Sequence, residues 1–248
     1  MMNTPTQHTL SESSKPASKG DHRAAKVSAM FDRIAGTYDL LNDCISLGMH
    51  RGWKKTAVKA LQLKAGSTVL DVCTGTGDLV QYIQPAVTES GSVVGLDFSP
   101  EMLEVARHRF SGVNNVSFHL GSALELPFED NQFDGAVISF GLRNVDNIEQ
   151  AIAEMARVVK PGGWVVNVDT SPKPWLPGFW WYFSKVMPVI GGLFSSDKEA
   201  YTYLFESTRD FLTPEQLKAV FETNGLSGVK VKSMAFGSVS CQAGQVSL

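Results

Sequence analysis

Two glycines flanked by carboxylates are the part of this chain best equipped for ligand chemistry. In "VLDVCTGTGDL" an apolar run carries Asp71 near its end, Gly75 and Gly77 follow, and a helical pattern begins. Glycine lets a backbone turn tightly and approach a ligand closely. Asp71 beside such a loop repels phosphate and attracts an ammonium or sulfonium. A dinucleotide fingerprint requires a third glycine where Val80 stands. The next apolar run ends at Asp97, 22 residues after Gly75, followed by Phe98. A carboxylate so placed accepts hydrogen bonds from both hydroxyls of a ribose. "GSALELPF" after the third run offers Ser122 and Ala123 to flank an adenine ring, with Leu124 against its face.

These residues need a strand–loop–helix frame, and the chain supplies one repeatedly. Short apolar runs, "TVLDVC", "SVVGLD", "VSFHL", "FDGAVISF" and "WVVNVDTS", alternate with helical patterns. Ser99 reads as an N-cap and Pro100 as a first helical residue. Strands separated by helices pair in parallel through right-handed crossovers. The expected fold is therefore α/β, a doubly wound, mostly parallel seven-stranded Rossmann-like sheet, with residues 229–236 and 237–246 as a C-terminal hairpin. Ligands of such sheets sit beyond the carboxyl ends of the strands, where Asp71 to Gly77, Asp97, Ser122 and Ser139 fall. A ligand with ribose, adenine, ammonium and sulfonium but no phosphate is S-adenosylmethionine (SAM), and SAM is the expected cofactor.

The chain has 248 residues, 43% hydrophobic and 19% charged, with formal net charge −3. This is a globular composition, not that of a protein held on nucleic acid by bulk positive charge. Three cysteines without a CxxC pair suit a reducing, cytoplasmic setting, and no metal-ligand cluster is visible. Residues 1–24 read as a disordered tail. Residues 25–248 read as one domain, with 25–62 as an N-terminal helical cap on the substrate side and 172–210 as an aromatic lid. Within the lid, Trp175 to Phe194 approaches the length of a membrane span, but Pro177, Gly178, Lys185, Pro188, Gly191 and Gly192 interrupt it. Packing on the core or a second subunit, covering an apolar substrate, and peripheral membrane contact all remain open for it.

In the order "VLDVCTGTGD", "VVGLDFS", "ALELPF" and "RVVKPGG", the chain resembles class I methyltransferases. "MFDRIAGTYDLLNDCISLGMHRGWK" and "SFGLRNV" narrow this to a resemblance to the ubiquinone/menaquinone biosynthesis C-methyltransferases of the UbiE/MenG type, over about residues 25–235. "RVVKPGGWVVNVDTS" and "SSDKEAYTYLFESTRDF" are similar to further stretches of that family. Leu41, Asp169 and Gln242 stand where the family usually has Met, Glu and, near the C-terminus, His. The resemblance implies methylation of a ring carbon of a prenylated quinol, demethylmenaquinol first and a methoxy-benzoquinol second. It carries Thr76, Asp97, Ser122, Ala123 and Ser139 over as cofactor contacts, beside Asp71, Gly75, Gly77 and Phe98. Homo-oligomers are frequent in the family. A phenol titrates near ~10, and a cation nearby lowers that value. Arg143 is the candidate cation; it stays charged and cannot itself take the proton. Asp39, His50 or a water is left as base, and Tyr38 as substrate contact, cofactor wall or core. Methylation of another apolar molecule is the alternative. An NAD-type oxidoreductase lacks its third glycine, a nucleic-acid amino-methylase lacks its Pro-Pro-aromatic element after the fourth strand, and a non-catalytic SAM-binding module would not need Tyr38, Asp39, Arg143 and Asn144.

Overall fold

A computed structural model describes residues 19–178, 180, 185 and 198–248. Three helices come first, α1 (Lys19–Ile34), α2 (Tyr38–Ser46) and α3 (His50–Ala60). Then follow β1 (Thr68–Val72), α4 (Val80–Val87), β2 (Ser92–Asp97), α5 (Pro100–Arg109), β3 (Val116–Leu120), β4 (Phe133–Ser139), α6 (Ile148–Val158) and β5 (Val159–Thr170). The chain closes with α7 (Lys198–Arg209), α8 (Pro214–Thr223), β6 (Leu226–Met234) and β7 (Val239–Val246).

The seven strands form one sheet in the order β3-β2-β1-β4-β5-β7-β6. The first five are parallel, and β7 runs antiparallel between β5 and β6, as the expected terminal hairpin. The central strands are apolar on both faces because helices cover both. Leu70, Val72, Ala136 and Ile138 pack with α6 and α8, through Ile152, Met155, Leu217 and Phe221. Val69, Val93, Val137 and Val166 pack with α3 and α4, through Ala57, Leu61, Val80 and Ile83. The strand order reverses between β1 and β4, so the crevice that receives a ligand opens at their carboxyl ends.

A third cluster, Ile34, Ala35, Leu41 and Met102, seats the N-terminal helices on α5. Ser99 makes that junction. Its hydroxyl accepts from the Met102 N–H at 3.1 Å, capping α5, and donates to Asp32 of α1 at 2.5 Å.

Two sequence expectations need revision. The helical cap starts at Lys19 rather than after residue 24, because the early polar residues of α1 continue the same turns and the apolar stripe begins only at Val27. Residues 76–79 are turns, and α4 begins at Val80 rather than Asp78, because the side chain of Asp78 is engaged elsewhere. Of the lid, residues 179, 181–184 and 186–197 lie outside the described residues, so the Trp175 to Phe194 reading is described at Trp175 to Gly178 and at residues 180 and 185 alone. No helix among the described residues is long and apolar enough to cross a membrane.

Candidate active site

At the carboxyl ends of β1, β2 and β4 lies a cavity of about 270 Å³, lined by Tyr38, Gly75, Asp97, Phe98, Ser122, Ala123 and Ser139 among others. Val27 and Phe31 of α1 close it on the N-terminal side. Its acidic floor is built from the loop backbone. Gly75, at φ +56°, donates its N–H to Asp97 Oδ2 at 2.8 Å, and the Ser99 N–H reaches Asp97 Oδ1 at 3.0 Å. Burial nonetheless raises the Asp97 pKa from its ordinary value, although these backbone bonds oppose the shift. Gly77, at φ +74°, lies against α5; a Cβ there would meet Phe110 Cε2 at 2.9 Å. Cys73 and Phe140, at the ends of β1 and β4, hold left-handed backbones with φ +55° and +56°. Both line the cavity, and Gly141 approaches Cys73 so closely that a Cβ would fall 2.5 Å from the Cys73 Cβ.

Asp71 sits just behind this floor, 1% exposed. Its Oδ2 accepts the Thr74 hydroxyl at 2.6 Å, while Oδ1 is buried with no hydrogen-bond partner. Ser139 Oγ and Asn144 Oδ1 are buried without partners too, at residues that line the cavity. These open valences fit SAM. Asp97 would hold the ribose, Ser122 and Ala123 would border the adenine, and Asp71 would meet the ammonium. Burial pushes the Asp71 pKa up to about 7, despite the Thr74 bond that lowers it. A carboxyl raised in the folded state contributes stability below its unfolded value that is lost as pH rises from ~4 to ~7. Only the ionised form attracts an ammonium. SAM affinity is therefore expected to climb by up to ~10-fold per pH unit below about 7, and to level off before the cofactor's own amine titrates near ~8. Calorimetric titration of wild type and Asp71→Asn from pH 5.5 to 7.5 checks this; the variant should bind weakly with a flat profile.

A second cavity, of about 300 Å³, shares Phe140 with the first and is lined by Ile45, His50, Trp53, Lys54, Arg143, Thr170, Leu204, Phe236 and Val239 among others. Among the described residues its wall carries two buried cations, Lys54 and Arg143. Arg143 Nη1 donates to Asp169 Oδ1 and to the Phe140 carbonyl, both at 2.6 Å, and its backbone N–H reaches Asp169 Oδ2 at 3.2 Å. Asp169 is fully buried. The ion pair more than offsets desolvation and raises the Arg143 pKa further, so the guanidinium stays charged. Its Nε is buried without a partner. Tyr38 borders the cofactor cavity and also a small neighbouring space with Arg143. Its phenol pKa is raised by burial, with Arg143 opposing.

The expected residues separate by role. Thr76 donates its hydroxyl to Asp39 Oδ1 at 2.7 Å, and Arg109 pairs with the same carboxylate. Asp39 thus braces the glycine loop and lines neither of the two cavities described above. Gln242 is fully buried in the sheet, accepting from Asn167 Nδ2 at 2.7 Å and donating to Ser240 Oγ at 3.0 Å; it lines neither cavity. His50 does line the second cavity. The Ser46 hydroxyl donates to the Asn42 carbonyl at 2.6 Å and lies 2.7 Å from His50 Nδ1. On the other side of the ring, His50 Nε2 lies 3.6 Å from Asp78 Oδ2. The sequence reading missed two partners, Asp169 of Arg143 and the buried pair Lys54–Asp78. The departure from Glu at 169 was visible; nothing local tied it to Arg143.

The model of the ubiE/COQ5 methyltransferase family matches residues 19–245. The chain belongs to the ubiE/COQ5 methyltransferase family. Among curated relatives, a demethylmenaquinone methyltransferase of Staphylococcus aureus (strain JH9) is 44% identical over 230 residues, covering 90% of this chain and 95% of the relative. One of Desulfitobacterium hafniense (strain Y51) is 39% identical over 233 residues, covering 91% and 92%. Among solved structures, a SAM-dependent methyltransferase from Aquifex aeolicus superposes with TM-score 0.58 at 20% identity, covering 78% of this chain and 89% of that one. The [4+2]-cyclase SpnF gives 0.66 at 16% identity, covering 91% and 97%; these two likenesses concern the fold. As a member of the ubiE/COQ5 methyltransferase family, the chain is a SAM-dependent methyltransferase. The two cavities meet at Phe140.

Proposed function

We propose that this enzyme methylates a ring carbon of a prenylated 1,4-quinol, with demethylmenaquinol the acceptor in menaquinone biosynthesis. The observation that carries the reading is a largely apolar acceptor cavity with one permanently charged, incompletely satisfied guanidinium in its wall, adjoining the donor cavity. The names of the relatives support the same substrate.

When bound, SAM supplies an electrophilic methyl group. The chain's own task is to make a ring carbon nucleophilic and to keep the two reactants aligned and dry. Arg143, presenting its open Nε, stabilises the phenolate that forms on the ring oxygen and so brings a pKa near ~10 toward neutrality. Asp169 fixes the guanidinium without titrating it away. The proton passes to His50 or to a water. Burial and the nearby Lys54 ammonium lower the His50 pKa, so its ring is neutral and able to accept at neutral pH. Tyr38 and Phe140 wall the space between donor and acceptor.

The reading is tested by supplying labelled SAM with two detergent-solubilised, chemically reduced acceptors, a demethylnaphthoquinol and a methoxy-benzoquinol, and following label into the ring by mass spectrometry. Methylation of the naphthoquinol supports it. Methylation of the benzoquinol alone transfers the activity to that ring class, and SAM binding with neither ring methylated overturns the quinol assignment.

An apolar tail must leave the acceptor cavity, and its mouth is suited to a lipid surface. Leu47, Met49, Leu176 and Phe236 line the cavity while remaining substantially exposed, and exposed Trp175 stacks edge-on against Phe236 at 5.2 Å. We infer peripheral membrane contact through this rim. In liposome sedimentation at low salt, wild type should pellet and Leu47→Asp with Phe236→Asp should shift to the supernatant. A fully soluble wild type would remove the membrane contact and leave the catalytic reading standing.

A further inference from the structure

Lys54 of α3 is a cation buried to 5% exposure, and the mechanism above gives it no contact with either reactant. It lines two spaces. One is the acceptor cavity; the other is a pocket of about 30 Å³ beneath the glycine loop, lined by Tyr38, Asp71, Thr74, Thr76, Asp78 and Ser139 among others. Lys54 is paired with Asp78, and His50 Nε2 stands 3.6 Å from the same carboxylate. That pairing uses one of the three N–H donors of an ammonium. Asp71, whose buried Oδ1 has no partner, lines the same pocket. The small pocket is therefore lined by a fixed cation with donors to spare and by a buried carboxylate with an open valence.

Opposite charges with open valences in one small space are complementary to a zwitterion. SAM carries one such group, the α-ammonium and α-carboxylate of its methionine end. We infer that Lys54 receives the carboxylate of that amino-acid end while Asp71 receives the ammonium, an assignment that rests on SAM being the cofactor. Asp78 serves as the positioning residue: it holds the lysine across the pocket and offsets its charge while the site is empty. A buried charged pair of this kind is costly to assemble, and a ligand carboxylate gives it a use that packing alone does not.

The test is calorimetric binding, independent of methyl transfer, with SAM, decarboxylated SAM and 5′-deoxy-5′-methylthioadenosine as ligands. Wild type should bind SAM roughly 10–100-fold more tightly than decarboxylated SAM, the range of one charge-assisted hydrogen bond. In Lys54→Gln that preference should fall to within about 2-fold, through weaker SAM binding, with methylthioadenosine affinity unchanged. Lys54→Gln combined with Asp78→Asn removes the stranded carboxylate and serves if the single variant does not fold. A Lys54 variant that keeps the wild-type preference overturns the assignment, as does a wild type that shows none. Failure of wild type to bind SAM and methylthioadenosine alike would overturn the cofactor reading itself, and the lysine assignment with it.

Discussion

Arg143→Met should lower kcat by roughly 10²–10³-fold, the loss seen when a fixed donor to developing negative charge is removed, while SAM affinity changes little. The same substitution leaves Asp169 buried and uncompensated, at a cost of about 3–5 kcal/mol. Thermal unfolding should fall by roughly 6–20 °C for a chain of this size. The two effects separate in the double variant Arg143→Met/Asp169→Leu. Replacing both partners of a buried pair with apolar groups is often near neutral, so stability should return while kcat does not. A merely structural arginine would give the opposite result, activity returning with stability. The pH–rate profile adds a second check. Without the guanidinium the acceptor phenol reverts toward its ordinary pKa, so the residual rate should keep rising through pH 8–9 where wild type has levelled off.

Asp97→Ala should weaken SAM binding by about 100-fold or more. A buried carboxylate accepting from two hydroxyls makes two charge-assisted bonds of roughly 1.5–3 kcal/mol each. The substitution also strands the N–H groups of Gly75 and Ser99, which Asp97 holds at 2.8 and 3.0 Å, so the glycine loop loses its anchor along with the ligand. Calorimetry with SAM and its 2′-deoxy analogue distinguishes the two losses. Wild type should discriminate between them, and Asp97→Ala should not. Discrimination that survives in the variant would place the ribose elsewhere.

What could be read from the sequence was local or periodic. Runs such as "VLDV" and "SVVGLD" announced buried strands, Ser99–Pro100 announced the start of α5, and Asp71 and Asp97 followed from their positions at strand ends. What escaped notice was which site charges pair, since the partners lie far apart in the chain. Arg143 meets Asp169 across 26 residues, Lys54 meets Asp78 across 24, and Arg109 meets Asp39 across 70. Neither member of such a pair carries a mark of the other, since the register of β4 against β5 and the docking of α3 over α4 decide who meets whom. Asp39 shows the same limit from the other side. Its neighbour Tyr38 borders the donor cavity, but one step along a helix turns a side chain through about 100°, and that carries Asp39 to the glycine loop. Gln242 stood out as a departure in sequence; in the folded chain it packs against Asn167 and Ser240 inside the sheet.

The left-handed backbones of Cys73 and Phe140 bear on how durable this protein can become. Each costs of order 1–2 kcal/mol that a glycine would not. Substituting glycine at both would relieve that strain, yet it would also delete the Cys73 and Phe140 side chains from the packing of the two core clusters and remove the Phe140 ring from the boundary between the two cavities. Strain relief and lost packing thus oppose each other at residues 73 and 140, so laboratory evolution for heat resistance has little to gain there and both strained turns should persist under thermal and catalytic selection alike.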